Sequence, residues 1–380
     1  MPNLIAIETI EANCGPRQQW LFVRLEAEDG AVGLGEASDS GSPAAASAAI
    51  HELFVPRLLS RPGEPSRVAE ALRFLGSAPP AGKVSGLTLM TAASALEMAA
   101  WDLMACRLGL PLAALLGGPI VDAVPVYANI NRGLPDMEAC TFATAGAMAM
   151  EAGFTAVKCA PFAGVRPLHA DNELIEAGLR RVAALRESLP SNVALMVDAH
   201  GRLDRVTGPR VARALEAWDL AWLEEPSRFE DDPGTLTATA AATRLPLAAG
   251  ELLGGVAAYL AMLQSGSVSV VMTDVSHNGG VAATLAVGAL VRAFAMPLSL
   301  HSPSGPVATA FSAHLAAALA GVSSMEYAFS AQRVKSVTAL LGAPEPVAEG
   351  KYCLSKRPGI GIKLVEQELQ RVGHVRRSAI

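Results

Sequence analysis

The stretch NVALMVDAH, residues 192–200, runs through core-type residues and closes on an acid, Asp198, and an imidazole, His200. On a β-strand, residues i and i+2 share a face, so Asp198 and His200 project together while Val197 and Ala199 project oppositely. The pattern recurs twice downstream. LAWLEEP (220–226) and LPLAAGE (245–251) are again short apolar runs that close on glutamate, and Asp198, Glu224 and Glu251 follow one another at intervals of 26 and 27 residues. That interval holds one strand, one helix and two turns, which is a βα unit.

Working outward, the same alternation of β-branched runs with Ala-rich helical stretches extends from Val124 to Phe329. It predicts strands at 124–130, 154–160, 192–200, 220–226, 245–251, 268–276, 296–302 and 322–328. Eight parallel units point to a (β/α)8 TIM barrel, whose chemistry sits at the C-terminal ends of the strands. Lys158, Asp198 with His200, Glu224, Glu251, Asp274, His301 and Glu326 each close one of these apolar runs. Buried charges without partners are costly, so a ring of acids from consecutive strands needs a compensating charge. A divalent cation held by Asp198, Glu224 and Glu251 supplies it. Oxygen-only ligands suit Mg²⁺, and the lack of cysteine in the cluster argues against zinc. In WLEEP, alternation lets one glutamate of Glu224 and Glu225 face the barrel, and spacing does not choose between them.

Composition narrows the partners. The 380 residues are 51% apolar with a formal charge of −6 and no basic aromatic-rich stripe, so nucleic acid is not expected as a partner. Five scattered cysteines without a CxxC pair fit a reducing cytoplasm and no disulfide framework. The N-terminus lacks the basic and apolar regions of a signal peptide. The most apolar long run, Val281 to Leu300, is broken by Arg292 and Pro297, which predicts a helix and then a strand rather than a membrane span.

ALEMAAWDLMACRLGLPLAALLGG (95–118), WLFVRLEAEDGAVGLGEAS (20–38) and RPGIGIKL (357–364) closely resemble the mandelate racemase and muconate lactonizing branch of the enolase superfamily. The resemblance covers nearly the whole chain. It implies an α+β capping domain, formed by residues 1–120 and 351–380, closing over a modified TIM barrel at 121–350. It also implies Mg²⁺ held by Asp198, Glu224 and Glu251, with Glu224 chosen over Glu225 because the family uses the first glutamate of its EEP motif. The family's shared step is removal of the proton α to a carboxylate, so the expected partner is a small-molecule carboxylate substrate. A homo-oligomer, dimer to octamer, is common among such enzymes.

Within that resemblance His301 is the candidate base and Asp274 its orienting partner, since a carboxylate on one ring nitrogen fixes the tautomer and raises basicity. The racemase-type Lys-x-Lys is absent, because Lys158 is followed two residues on by Ala160. Instead DAHGR, DVSHNGG and HSPSGP resemble galactonate dehydratase and its relatives, in which the third-strand histidine is the general acid; His200 stands there. The expected reaction is dehydration of a 2,3-dihydroxy acid sugar to a 2-keto-3-deoxy acid. A racemase or epimerase using His200 or Lys158 opposite His301, and a non-catalytic binding protein, are the alternatives. By the same analogy Glu326 contacts the substrate carboxylate, and Lys158 is electrostatic or an acid/base. His277 lies by the mouth, and Arg17, on a cap loop, is a candidate contact for a second carboxylate.

Overall fold

The computed structural model describes residues 3–15, 17–59, 86–169 and 171–379. Residues 60–85 of the expected cap and Pro16 of its first loop lie outside them. Three alternating segments near the N-terminus form an antiparallel meander: β1 (Leu4–Asn13), β2 (Gln19–Ala27) and β3 (Val32–Glu36). The helix Leu87–Leu108 lies against β3. The glycines of VGLGE make this approach possible, because a Cβ on Gly33 or Gly35 would come 2.1 and 2.0 Å from the carbonyl oxygens of Ala99 and Ala95.

The eight expected strands all form: β4 (Ala123–Asn129), β5 (Ala156–Cys159), β6 (Ala194–Asp198), β7 (Trp222–Glu224), β8 (Leu247–Ala249), β9 (Val270–Thr273), β10 (Leu298–Leu300) and β11 (Val322–Ala328). Each pairs in parallel with the next, and β11 pairs with β4, which closes the barrel. Most ladders end before the sequence runs do, since the last residues of those runs turn to present side chains at the rim. The run from Val281 to Leu300 divides into the helix Val281–Ala293 and β10, and no helix among the described residues is long and apolar enough to cross a membrane. Beyond the barrel, β12 (Val347–Ala348) and β13 (Lys351–Cys353) add antiparallel strands to β4. Finally β14 (Gly373–Ala379) returns to pair with β1, giving a cap sheet of order β14-β1-β2-β3.

Period-two alternation divides the barrel interior into an apolar floor and a polar rim. Tyr127, Met196, Trp222, Ala248, Val270 and Met272 cluster inside, with the Tyr127 and Trp222 rings edge to face at 5.6 Å. Two residues further along the chain come Asn129, Asp198 and Glu224, which end their strands, and Asp274, just past β9, all buried. The floor excludes water beneath the rim, so the charges above it face a low dielectric and depend on one another.

Candidate active site

Asp198 and Glu224 end neighbouring strands in register, and Glu251 follows β8 by two residues. One carboxylate oxygen from each lies within 4.8 Å of the others, and all three side chains are buried. Asp198 Oδ2 and Glu251 Oε2 accept no well-directed hydrogen bond. Buried acceptors are rarely left so. Three hard oxygen donors converging with spare lone pairs fit a divalent metal ion.

Lys158, from β5, sits fully buried below this trio. Its ammonium contacts Glu224 Oε1 and lies 3.2 Å from Glu326 Oε2 and 3.6 Å from Asp198 Oδ2. Burial disfavours its charge, but Glu224 and Glu326 outweigh that and hold its pKa well above the usual lysine value. Glu224 itself is pushed up to about 8 by burial and the carboxylates around it, against the opposing effect of Lys158. Trp222 Nε1 donates to the other Glu224 oxygen at 2.9 Å.

The structure places Glu225 away from this cluster. It takes φ +41°, in the left-handed region, and its Oε1 accepts from the backbone N–H of Gly250 at 2.7 Å and of Glu251 at 3.3 Å. Glu224 therefore faces the barrel and Glu225 braces the turn that carries Glu251. Burial and the neighbouring Glu251 raise the Glu225 pKa well above the ordinary value, against the hydrogen bond from Gly250 N–H.

His301 follows β10, and its Nδ1 lies 2.7 Å from Asp274 Oδ2; the backbone N–H of Ser276 donates to the other Asp274 oxygen at 2.7 Å. His301 Nε2 points to Glu251 Oε2 at 3.2 Å and Glu326 Oε2 at 3.6 Å. Burial alone would lower the imidazole pKa, yet Glu251, Glu326 and Asp274 together push it up to about 10. At another member of the trio, His200 Nε2 lies 3.0 Å from Asp198 Oδ2. Strand pleating does not produce this contact, because β6 ends at Asp198. A left-handed turn at His200, φ +51°, with its own N–H donating to Asp198 Oδ1 at 2.8 Å, brings the ring back. Asp198 raises the His200 pKa against the effect of burial, and the His200 side chain is 39% exposed where the other rim groups are closed.

Glu326 accepts from the side chain of Asn129, from Lys158 and from the backbone N–H of Ser302 at 3.3 Å. Burial would raise its pKa, but Lys158 and His301 bring it below the usual range, so it is a carboxylate in the free protein. Asn129 escapes a reading that looks for ionisable groups, although the same rule of a polar residue closing an apolar run finds it in VPVYAN. His277 is 1% exposed, between Thr91 Oγ1 at 2.8 Å from Nδ1 and Asp274 Oδ2 at 3.9 Å from Nε2. Arg17 donates to the carbonyls of Asn131 at 3.3 Å and Leu134 at 3.5 Å, and lines a separate cavity of about 510 Å³ with Arg132, Phe329 and Gln332. No residue of the trio, and neither His200 nor His301, lines that cavity.

Comparison with known proteins supports the same picture. Residues 142–368 match the model described as enolase C-terminal domain-like, and residues 2–117 match the N-terminal domain of mandelate racemase / muconate lactonizing enzyme. A D-galactonate dehydratase of Ralstonia pickettii is 29% identical over 301 residues, covering 78% of this chain and 75% of that protein. A D-gluconate dehydratase of Thermoproteus tenax is 32% identical over 287 residues, covering 74% of this chain and 56% of that protein. The crystal structure of an enolase protein from Sargasso Sea environmental sequencing superposes with a TM-score of 0.86 at 27% identity, covering 100% of each chain. With both domain models matched in order and a barrel rim that carries acids on successive strands, this chain belongs to the mandelate racemase/muconate lactonizing enzyme family of the enolase superfamily and is an enzyme of the mandelate racemase type.

Proposed function

We propose that the protein dehydrates an acid sugar, a 2,3-dihydroxy carboxylate, to a 2-keto-3-deoxy acid. One observation carries this reading. Two imidazoles lie at two different members of the carboxylate trio, His301 beside Glu251 and His200 beside Asp198. One can take a proton and the other give one. The dehydratase names of the relatives support it.

Asp198, Glu224 and Glu251 would hold Mg²⁺, for which an all-oxygen set is suited. Bound there, the cation supplies Lewis-acid stabilisation of charge that develops on the substrate carboxylate, and offsets the acids that hold His301 protonated. His301, its Nδ1 fixed by Asp274, accepts the C2 proton at Nε2. The electron pair left at C2 forms the C2–C3 double bond as the C3–O bond breaks. His200 gives its proton to the departing hydroxyl, which leaves as water, and the enol tautomerises to the ketone. Lys158 favours the ionised forms of Glu224 and Glu326 from below. Enclosed by three carboxylates and fully buried, it does not offer the second base that a two-base racemase needs.

The test is proton NMR in D2O with Mg²⁺ and a panel of aldonic, uronic and aldaric acids. A substrate that loses its C2 proton and yields a deuterated C3 methylene beside a keto carboxylate confirms dehydration; exchange at C2 without that product would establish an epimerase instead. His301→Asn is expected to cut C2 exchange by roughly 10²–10⁴-fold, the usual contribution of a positioned base. His200→Asn should suppress the keto product while leaving C2 exchange within a few fold of the parent rate.

A further inference from the structure

The helix Leu87–Leu108 has apolar neighbours along most of its length, yet Thr91, Ser94 and Glu97 recur every three residues and so share one face. All three contact the segment that leaves β9. Thr91 Oγ1 meets His277 Nδ1 at 2.8 Å, Ser94 Oγ accepts from Gly279 N–H at 3.0 Å, and Glu97 accepts from Val281 N–H at 2.6 Å and Ala282 N–H at 3.0 Å. The helix Val281–Ala293 begins after Gly280, which has no side chain to cap its free N–H groups, and the carboxylate of Glu97 takes that place. The fit is close: Gly280 takes φ +93°, and a Cβ there would come 2.2 Å from Glu97 Oε2.

A second acid repeats the arrangement for the segment that leaves β10. Glu36, the last residue of β3, accepts from Gly305 N–H and from Ala308 N–H at 2.9 Å, at the start of the helix Pro306–Ala318. A Cβ on Gly305 would come 2.5 Å from Glu36 Oε1. Asp39, three residues on, accepts from Ser304 Oγ at 2.9 Å.

The first of these segments starts with Asp274 and the second with His301. Each is tied to the barrel at its strand end and, a few residues later, to a carboxylate from the N-terminal part of the chain. The 2.7 Å contact between Asp274 and His301 joins two segments that come from different strands, so their relative placement sets it. We propose that Glu97 and Glu36 are positioning residues for proton abstraction, fixing from the cap the two segments that carry Asp274 and His301. This rests on the reading of His301 as the base. A misplacement of about 1 Å at a reacting group costs on the order of 10²-fold in rate, which makes remote anchors of this kind consequential.

The test compares Glu97→Gln and Glu36→Gln in the full chain with Mg²⁺. Glutamine keeps the shape but turns an amide donor towards a backbone N–H. Two readouts are taken. The first is the Nδ1–H resonance of His301 in protein with ¹⁵N-labelled histidine, assigned by its absence in His301→Asn. The second is C2-proton exchange of whichever acid sugar the parent protein exchanges. The expected result is a Nδ1–H that exchanges with water at least ~10-fold faster, and a C2 exchange rate lower by roughly 10- to 100-fold with KM within about threefold. Ser94→Ala, which removes only the bond to Gly279, gives a smaller change of the same kind should Glu97→Gln fail to fold. Asp102→Asn is the control. Asp102 accepts from Leu34 and Ile360 N–H and touches neither segment, so it should lower the melting temperature and leave both readouts at parent values. Parent-like resonance and exchange in folded Glu97→Gln and Glu36→Gln, or an equal effect in Asp102→Asn, overturns the proposal. A parent protein that exchanges no acid sugar refutes the base assignment, while the resonance comparison still decides the positioning.

Discussion

Replacing Lys158 with methionine removes the ammonium group from contact with Glu224 and from 3.2 and 3.6 Å of Glu326 and Asp198, while the unbranched side chain keeps the packing above Tyr127. Breaking a buried ion pair by deleting one partner costs about 3–5 kcal/mol, because the other charge stays buried and uncompensated. Glu224, already pushed up to about 8, can relieve part of that by taking a proton. The loss should therefore lie near the lower figure at pH 6 and near the upper one at pH 9. A chain of 380 residues unfolds with an entropy of roughly 0.8 kcal/mol/K, so the melting temperature falls by about 4–6 °C. Mg²⁺ offsets the local excess of negative charge. At about 100 times its dissociation constant it adds about 2.7 kcal/mol to any state that binds it, and the variant, freed of a competing cation at Glu224 and Asp198, binds it more tightly than the parent. Differential scanning calorimetry in EDTA and in Mg²⁺, at both pH values, measures the gap between parent and variant. The gap should narrow with Mg²⁺. A gap below about 1 °C in EDTA, or one that widens on adding Mg²⁺, would refute the account of Lys158 as the internal counter-charge.

Glu36 and Glu97 are each raised to about 7 by burial, and Glu224 to about 8. A folded pKa above the unfolded one gives stability that is present at low pH and lost as pH rises through the folded value. The metal-free protein should therefore lose melting temperature between pH 5 and 9, and Mg²⁺, which favours ionised Glu224, should flatten that slope; a metal-free melting temperature that rises over this range contradicts the assignment. Calorimetric titration separates the two adjacent glutamates: Glu224→Gln should weaken Mg²⁺ binding at least tenfold, whereas Glu225→Gln, whose carbonyl oxygen can still accept from the Gly250 and Glu251 N–H groups, should leave it within about threefold. A Cβ on Gly35 would overlap the Ala95 carbonyl, so Gly35→Ala must separate β3 from its helix and should destabilise by about 1–3 kcal/mol, read by chemical denaturation.

The barrel is legible in the sequence because eight apolar runs recur at the length of a βα unit, and the rim because each run ends on a polar residue. Asp198, Glu224, Asp274 and His301 stand where that rule puts them. Elsewhere local pattern and structure part. His200 reaches Asp198 through a left-handed turn, a backbone choice that DAHG permits without announcing. Alternation could not choose between Glu224 and Glu225, since the strand ends between them and the second residue turns to the backbone of the next loop. Thr91, Ser94 and Glu97 lie in an Ala-rich helix enclosed on most sides, where a polar residue at every third position carries no periodic contrast with solvent. Their partners are more than 180 residues away, so only the folded chain reveals the contacts.

The pairing of β1 with β14 has a consequence in time. A ribosome adding about 5–20 residues per second delivers β3 early and needs tens of seconds more to thread out the whole barrel before Gly373 emerges. Throughout that interval β1 presents a bare hydrogen-bonding edge, the feature that invites chain-to-chain pairing, and Glu8 lacks its later neighbour Arg377. Nascent chains stalled before Gly373 should recruit chaperones at β1, and release of the final strand should dismiss them. Vectorial synthesis thus makes the cap sheet the last part to be completed.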